Sequence, residues 1–294
     1  MPTKVAIFGS AGQLGQELNR EFNARGYTVY CWDRAGVDIS DATAVEQAIA
    51  SADPEIVINA AAYNQVDVAE KEPVAAFQVN ALAVRSLAVA CRQTGARLVH
   101  FSTDYVFDGR ASRPYRESDP THPLGAYAVS KLAGELYAQA YLENPLVIRT
   151  SGVFGPGGLR TARGNFIELM MRLATSGHPI RVVEDHVASP TYAPALAART
   201  VELIELKAQG VVHCGGGQPI SWYDYARLIF EAAGLKPELQ PTDEREYRTP
   251  ARRPRYSALD NSLLASLGAT PMPPLEEAIR TYLNLRNQKM VEFR

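Results

Sequence analysis

The sequence predicts an α/β fold: a doubly wound parallel sheet with a smaller C-terminal lobe. Three observations predict it. Short apolar runs alternate with helix-period segments through the first half of the chain. The first run stops at Gly9, and a glycine-punctuated loop leads straight into the first helix. The chain has 294 residues, which suits two lobes when domains typically hold roughly 100–200.

The elements follow in order. Val5–Phe8 is a short apolar strand. Gln13–Arg25 reads as a helix, with Leu14, Leu18 and Phe22 four apart on one face. Thr28–Trp32 is rich in β-branched and aromatic residues and reads as the second strand. Asp41–Ala52 is a helix with an aspartate at its start. Glu55–Asn59 is a third strand, and Ala60, Ala61 and Ala62 follow it. Pro73–Thr94 is one long amphipathic helix, Arg97–Ser102 the fourth strand, Tyr127–Tyr141 a helix, and Leu146–Arg149 the fifth strand. Gly155-Pro156-Gly157-Gly158 then breaks the alternation, and later segments are richer in proline. Val211–Cys214 reads as one more strand of the main sheet. The expected division is therefore 1–151, completed by about 190–217, against a substrate lobe of 152–189 and 218–294. In that lobe Trp222, Tyr223 and Tyr225 read as a helix start capped by Ser221.

Composition narrows the function. Thirty basic and 32 acidic residues leave a net charge of −2, which gives no reason to expect nucleic acid or an anionic membrane as partner. No apolar run of about 18 residues is evident, and the N-terminus does not read as a signal peptide. Cys31, Cys91 and Cys214 are scattered and odd in number, so reduced thiols in a cytoplasmic protein are expected. His122, His178, His186 and His213 lack ligand spacing, so no metal site is expected. His100, inside the fourth strand, reads as a core residue.

The loop Gly9-Ser10-Ala11-Gly12-Gln13-Leu14-Gly15 is the first chemical signal. Glycine lets backbone approach a pyrophosphate, and the helix N-terminus offers free N–H groups and a favourable dipole. A tight strand-to-helix turn alone can also demand glycine. Asp33, at the end of the second strand, is placed to accept hydrogen bonds from an adenosine ribose. Arg34 is placed to face a 2′-phosphate instead. The two neighbours argue in opposite directions, so NADH and NADPH both stay open as cofactor.

Tyr127 and Lys131 lie four apart and so share a helix face. Only six of the thirty basic residues are lysine, and chance alone gives roughly 0.3 such pairs in this composition. The pair therefore has weight only through its place after the glycine loop and the fourth strand. A nearby ammonium is expected to bring the phenol's pKa down. Tyr127 then has the chemistry to give a proton to a carbonyl oxygen as hydride arrives at its carbon. Lys131 can also hydrogen-bond a nicotinamide ribose.

The loop, Asn59-Ala60-Ala61-Ala62, Ser102-Thr103-Asp104-Tyr105 and Tyr127-x-x-x-Lys131 together resemble the extended short-chain dehydrogenases/reductases, whose core is a Rossmann-type sheet. More narrowly, "NAAAYNQVDVAEKEP", "STDYVFDG", "YAVSKLAGE", "RTSGVFG", "SPTYA" and "RRPRYSALD" are similar to the dTDP-4-dehydrorhamnose reductase family, over nearly the whole chain. The resemblance implies NAD(P)H-dependent reduction of a nucleotide-linked 4-keto-6-deoxysugar, and it leaves a homodimer open. It implies catalytic roles for Thr103, Tyr127 and Lys131. It matches Ala11, Gly12, Gln13 and Leu14 to pyrophosphate contacts, and Asp33, Asp38 and Ile39 to positions around the adenosine. It matches Ala60, Ala61, Ala62 and Tyr63 to a stretch lining the cofactor, and Asp104 to a substrate contact.

The chain also departs from the family. Gly152 stands where the family usually has a tryptophan that stacks on the sugar, and glycine supplies no such surface. Asp185-His186 replaces an Asp-Gln pair, and Ala188 replaces a glycine. Arg255, in a cluster with Arg252 and Arg253, is a candidate diphosphate clamp beside the default of a solvated charge run. Two alternatives remain. A nucleotide-sugar epimerase or dehydratase is one, although Tyr105 occupies the position where the dehydratases carry glutamate. The other is a non-catalytic regulatory subunit of the methionine adenosyltransferase type.

Overall fold

The computed structural model describes residues 2–161 and 164–292, with 289–292 described by backbone alone. The first half forms β1 (Lys4–Phe8), α1 (Gln13–Ala24), β2 (Thr28–Trp32), α2 (Ala42–Ala52), β3 (Ile56–Asn59), α3 (Val66–Ala69), α4 (Pro73–Phe77), α5 (Ala83–Thr94), β4 (Arg97–Thr103), α6 (Ala126–Tyr141) and β5 (Leu146–Thr150). The second half forms α7 (Phe166–Leu173), β6 (Ile180–Val183), β7 (Val187–Ala188), α8 (Ala193–Glu205), β8 (Gly210–His213), β9 (Ile220–Ser221), α9 (Trp222–Ala233), β10 (Leu239–Thr242), α10 (Ser262–Ser266) and α11 (Leu275–Glu292).

Six strands pair in the order β2-β1-β3-β4-β5-β8, all parallel. The inner strands β1, β3, β4 and β5 are buried on both faces, so they read as near-continuous apolar runs rather than alternating ones. Val5 and Ile7 point into one core with Leu18, Phe22, Leu196 and Val201. Ala6 and Phe8 point into the other with Val45, Ile49 and Leu87. The order of strands reverses between β1 and β3. Loops from their carboxyl ends meet at that point, which is where open α/β sheets bind ligands.

The segment expected as one helix, Pro73–Thr94, is interrupted. α4 and α5 are joined by a π-helical turn, Gln78–Leu82. The turn presents Asn80, whose side chain accepts from Tyr63 N–H and donates to Tyr63 C=O, both at 2.9 Å. Asn80 also donates to the Ser130 hydroxyl at 3.0 Å. Such bulges frequently sit at functional sites, and this one fixes the loop after β3. The whole segment is also long and apolar enough to cross a membrane, contrary to the reading of the apolar runs. Half of it is buried within the fold, as in a core helix.

The second lobe has its own aromatic core of Phe154, Tyr192, Tyr225, Phe230 and Tyr282. Two small sheets, β6 with β10 and β7 with β9, flank it. α9 starts at Trp222, with Ser221 accepting from Asp224 N–H at 3.0 Å. The glycine run at 155–158 is a contact as well as a break. A Cβ on Gly157 would come within 2.6 Å of the Gln13 carbonyl, and one on Gly158 would overlap the Gln13 side-chain oxygen. Glycine there lets the second lobe close onto the first turn of α1.

Candidate active site

The glycine loop is shaped by backbone contacts. Gly9 has φ +81°, and a Cβ there would lie 2.5 Å from Ala61 N. A Cβ on Gly15 would overlap the Gly9 carbonyl oxygen. Gly12 is the N-cap of α1, and no side chain caps the helix. Gly9 and Ser10 N–H groups donate to the Trp32 carbonyl, which ties the loop to the end of β2. Ala60 N–H bonds Phe8 C=O, and Ala61 N–H bonds the Asn59 side chain. The result is an uncapped, positive helix end between two close-packed loops, which suits a dinucleotide pyrophosphate.

The other expected cofactor residues surround this cradle unevenly. Ala11 and Ala62 are exposed and Leu14 is half-buried. Gln13 is a brace: its Nε2 donates to Val153 C=O at 2.7 Å, and its Oε1 accepts from Asn165 and Gly155. Its side chain is thus taken by the second lobe, leaving only its backbone for an anion. Asp33 Oδ1 accepts from Ala35 and Gly36 N–H. Arg34 is exposed and pairs with Asp38 at 3.3 Å. The Ser40 N–H holds the Asp38 carboxyl below its ordinary range, with Arg34 adding to the effect. Ile39 is a core side chain packed near Phe8 and Val45. Tyr63 is held by Asn80 and donates its hydroxyl to Glu72 at 3.2 Å.

The candidate reacting groups converge at the end of β4. Thr103 closes the strand, its hydroxyl donating to Asp104 Oδ1 and accepting from Tyr105 N–H, both at 3.2 Å, and Tyr127 enters from the first turn of α6. Lys131 donates from its ammonium to Phe101 C=O at 2.5 Å. The structure corrects one expectation here. Tyr127 is pushed up to about 12 by burial, with the nearby Thr103 hydroxyl opposing and the Asp104 charge adding. Lys131 is spent on a carbonyl and does not pull the phenol down. Burial instead lowers Lys131 to about 8, with Glu135 opposing. At neutral pH Tyr127 is therefore a phenol carrying a proton, the state a general acid needs.

Asp104, implied as a substrate contact, is 3% exposed. Both its oxygens are engaged by the protein: Oδ1 by Thr103 at 3.2 Å, Oδ2 by Ser151 at 2.8 Å and Ser257 at 2.5 Å. Burial raises it to about 6, against the pull of those hydroxyls. Tyr105 stands edge-on to Tyr127, with ring centroids 6.2 Å apart. Burial pushes its phenol well up, with Asp104 adding and Arg253 opposing.

Arg255 does not join this cluster. It pairs with Glu244 at 2.7 Å and is half-exposed. Its neighbour Arg253 reaches in instead, donating to both oxygens of Asp67 at 3.1 and 2.8 Å. The quoted run "RRPRYSALD" contained Arg253 and Ser257, but spacing alone does not say which of its polar residues face inward. Glu135 and Arg149 were also missed; they form a buried pair behind Lys131 at 2.7 Å. Ligand atoms of Asp185, His186 and Glu244 lie within 4.8 Å of one another, a cluster that histidine spacing could not reveal. The Arg255 guanidinium already occupies Glu244 there. His100 is fully buried; its Nδ1 meets Asn59 at 3.1 Å, and its Nε2 has no partner.

Gly152 has φ +49°, and a Cβ there would meet Pro190 at 3.3 Å and the Trp222 ring at 3.4 Å. The missing side chain thus leaves room for an indole delivered from α9.

The chain is similar to known proteins along nearly its full length. A family model described as "RmlD substrate binding domain" matches residues 3–287. The spore coat polysaccharide biosynthesis protein SpsK of Bacillus subtilis (strain 168) is 36% identical, covering 97% of this chain and 98% of that protein. A dTDP-4-dehydrorhamnose reductase of Escherichia coli (strain K12) is also 36% identical, covering 95% of this chain and 97% of the relative. A crystal structure of the Bacillus anthracis reductase in complex with NADP superposes with TM-score 0.91 at 35% identity, covering 96% of this chain and 99% of that one. A UDP-glucose 4-epimerase of Thermus thermophilus in complex with NAD superposes with TM-score 0.84 at 26% identity, covering 97% and 99%. With its cradle at the β1–β3 switch point and this match from residue 3 to residue 287, the chain belongs to the RmlD substrate-binding-domain family.

Proposed function

We propose that this protein is a reductase of a nucleotide-linked 4-keto-6-deoxysugar, converting dTDP-4-dehydro-L-rhamnose to dTDP-L-rhamnose with NADPH or NADH. The observation that carries the reading is the convergence of Tyr127 and Lys131 of α6 on the end of β4, where Thr103 stands at the carboxyl edge of the sheet. Relatives named as dTDP-4-dehydrorhamnose reductases, one of them bound to NADP, support it.

The residues at the β1–β3 switch point fit a dinucleotide. Gly9, Ala11, Gly12, Leu14, Gly15 and the backbone of Gln13 would hold the pyrophosphate. Asp33, Arg34, Asp38 and Ile39 would lie around the adenosine, and Ala60, Ala61, Ala62 and Tyr63 along the cofactor. When bound, the cofactor supplies hydride to the sugar carbonyl carbon. Tyr127 gives its proton to the carbonyl oxygen. Thr103 orients that oxygen and then donates to the phenolate. Lys131, anchored on β4, keeps positive charge beside the reacting groups. The second lobe, 152–189 and 218–294, would seat the nucleotide sugar over 1–151 and 190–217.

Elimination of water, as in a dehydratase, needs a base beside Thr103. Tyr105 stands there, and its burial keeps it protonated. A regulatory role needs none of this chemistry, whereas the Lys131 bond to Phe101 C=O holds α6 against the end of β4. Free cysteines at 31, 91 and 214 fit a cytoplasmic enzyme.

The test is direct. Purified protein is mixed with NADPH and dTDP-4-dehydro-L-rhamnose, and absorbance of the reduced nicotinamide is followed. Stoichiometric oxidation is expected. Cofactor binding without oxidation would overturn the assignment.

A further inference from the structure

The small parallel sheet of the second lobe ends in a group of side chains that the reductase reading does not use. The last register pair of β6 and β10 is Val183 with Thr242. Two residues beyond it on each strand, Asp185 lies opposite Glu244, whose N–H donates to Asp185 Oδ2 at 3.3 Å. His186 comes next, and its Nε2 faces Glu244 Oε2 at 3.3 Å. One ligand atom from each of the three side chains lies within 4.8 Å of the others.

The backbone under these groups is tied down on every side. Glu184 N–H donates to Thr242 C=O at 2.9 Å, Trp222 N–H to His186 C=O at 3.1 Å, and Val187 N–H to Arg255 C=O at 2.7 Å. The turn carrying Glu244 is closed by Asp243, which accepts from Arg245 and Glu246 N–H at 2.9 and 3.0 Å. The three side chains therefore start from fixed positions, as a metal site requires.

A separate observation points to a cation. The Asp185 Oδ1 atom is buried and has no hydrogen-bond partner. A carboxylate oxygen shut away from water is costly unless a positive charge or a donor meets it. Arg255 does not meet it: its Nη2 donates to Glu244 Oε1 at 2.7 Å, and the side chain is half-exposed. That bond leaves Glu244 Oε2 turned toward His186 and steadies the carboxylate, as outer partners of metal ligands do.

We propose that Asp185, His186 and Glu244 form a binding site for one divalent transition-metal ion of the Zn²⁺ kind. The site goes beyond the reductase reading and stands without it. One imidazole nitrogen and two carboxylate oxygens suit Zn²⁺ or Co²⁺ better than Mg²⁺ or Ca²⁺, which take oxygen ligands alone. Bonds of about 2.0–2.2 Å set neighbouring ligands of a tetrahedral ion roughly 3.4 Å apart. The His186–Glu244 separation of 3.3 Å already matches that edge. A turn of the Asp185 carboxylate brings in the third ligand and gives its orphaned oxygen a partner. The ion then joins the ends of β6 and β10.

The experiment uses the full chain, stripped with EDTA and dialysed. Zn²⁺ is titrated in by calorimetry, and Co²⁺ is followed through its visible absorption bands. Saturable binding of one ion per chain is expected, with no competition from excess Mg²⁺ and a thermal midpoint that rises with Zn²⁺ concentration. His186→Gln and Glu244→Gln should each weaken Zn²⁺ binding by at least about tenfold and change the Co²⁺ spectrum. Melts in EDTA check that the variants fold. If His186→Gln does not, Glu244→Gln decides, since that side chain is 41% exposed. The exposed thiol of Cys31 is the competing ligand, and Cys31→Ser should leave binding unchanged. No saturable binding, binding that survives both site variants, or binding lost in Cys31→Ser would each overturn the proposal.

Discussion

The Lys131 ammonium donates to the Phe101 carbonyl at 2.5 Å, two residues before Thr103 on the same strand. This bond fixes α6 to β4 at the point where the candidate reacting groups meet. Burial lowers Lys131 from 10.5 to about 8, with Glu135 opposing. The charged form is therefore less favourable in the folded chain than in the unfolded one.

The sign of the pH dependence follows from that shift. Between about 8 and 10.5 the unfolded state binds more protons, so stability rises with pH across this window. Below it the cost of burying the ammonium is fully present. Lys131→Met should gain stability over the wild type at pH 7 and lose that advantage as pH climbs through the window. Thermal melts of both proteins at a series of pH values check this. An advantage independent of pH would contradict it.

Glu135 and Arg149 test the support behind Lys131. Arg149 donates from Nε and Nη2 to Glu135, and both side chains are almost fully buried. Glu135→Ala leaves an uncompensated buried guanidinium and should cost about 3–5 kcal/mol in urea unfolding. Replacing both residues, Glu135→Leu with Arg149→Met, should recover most of the loss. A single variant as stable as the wild type would show that the pair contributes nothing.

Gly15 tests the cradle. A Cβ there meets the Gly9 carbonyl, which is backbone and cannot swing away. Gly15→Ala should lose about 1–3 kcal/mol of stability and most NADPH affinity. Gly36→Ala is the control, since a Cβ there meets Asp33 only at 3.6 Å. Fluorescence titration with NADPH and a thermal melt separate the two variants; equal affinity in both would sink the cradle reading.

The sheet was legible in the sequence because its strands are short, apolar and regularly spaced. The glycine loop and the Tyr127–Lys131 pair were legible because local spacing encodes them. The rest depends on contacts that spacing cannot carry. Asn80 acts through a π turn inside what reads as one uniform helix. Arg253 rather than Arg255 faces inward because of how the chain after β10 crosses Asp67. Gly152 reads as a lost aromatic surface, yet Trp222, 70 residues on, comes to within 3.4 Å of where its Cβ would be. The lowered phenol pKa expected from the Tyr-Lys spacing failed for the same reason: burial outweighs a neighbour whose charge is turned to a carbonyl.

Tyr127→Phe tests the central claim most directly. The ring and its edge-on contact with Tyr105 remain, and only the proton donor is removed. With dTDP-4-dehydro-L-rhamnose and NADPH, kcat should fall by about 10²–10⁴-fold while the Kd for NADPH stays the same. Turnover equal to that of the wild type would contradict the assignment of Tyr127 as the acid and the mechanism built on it.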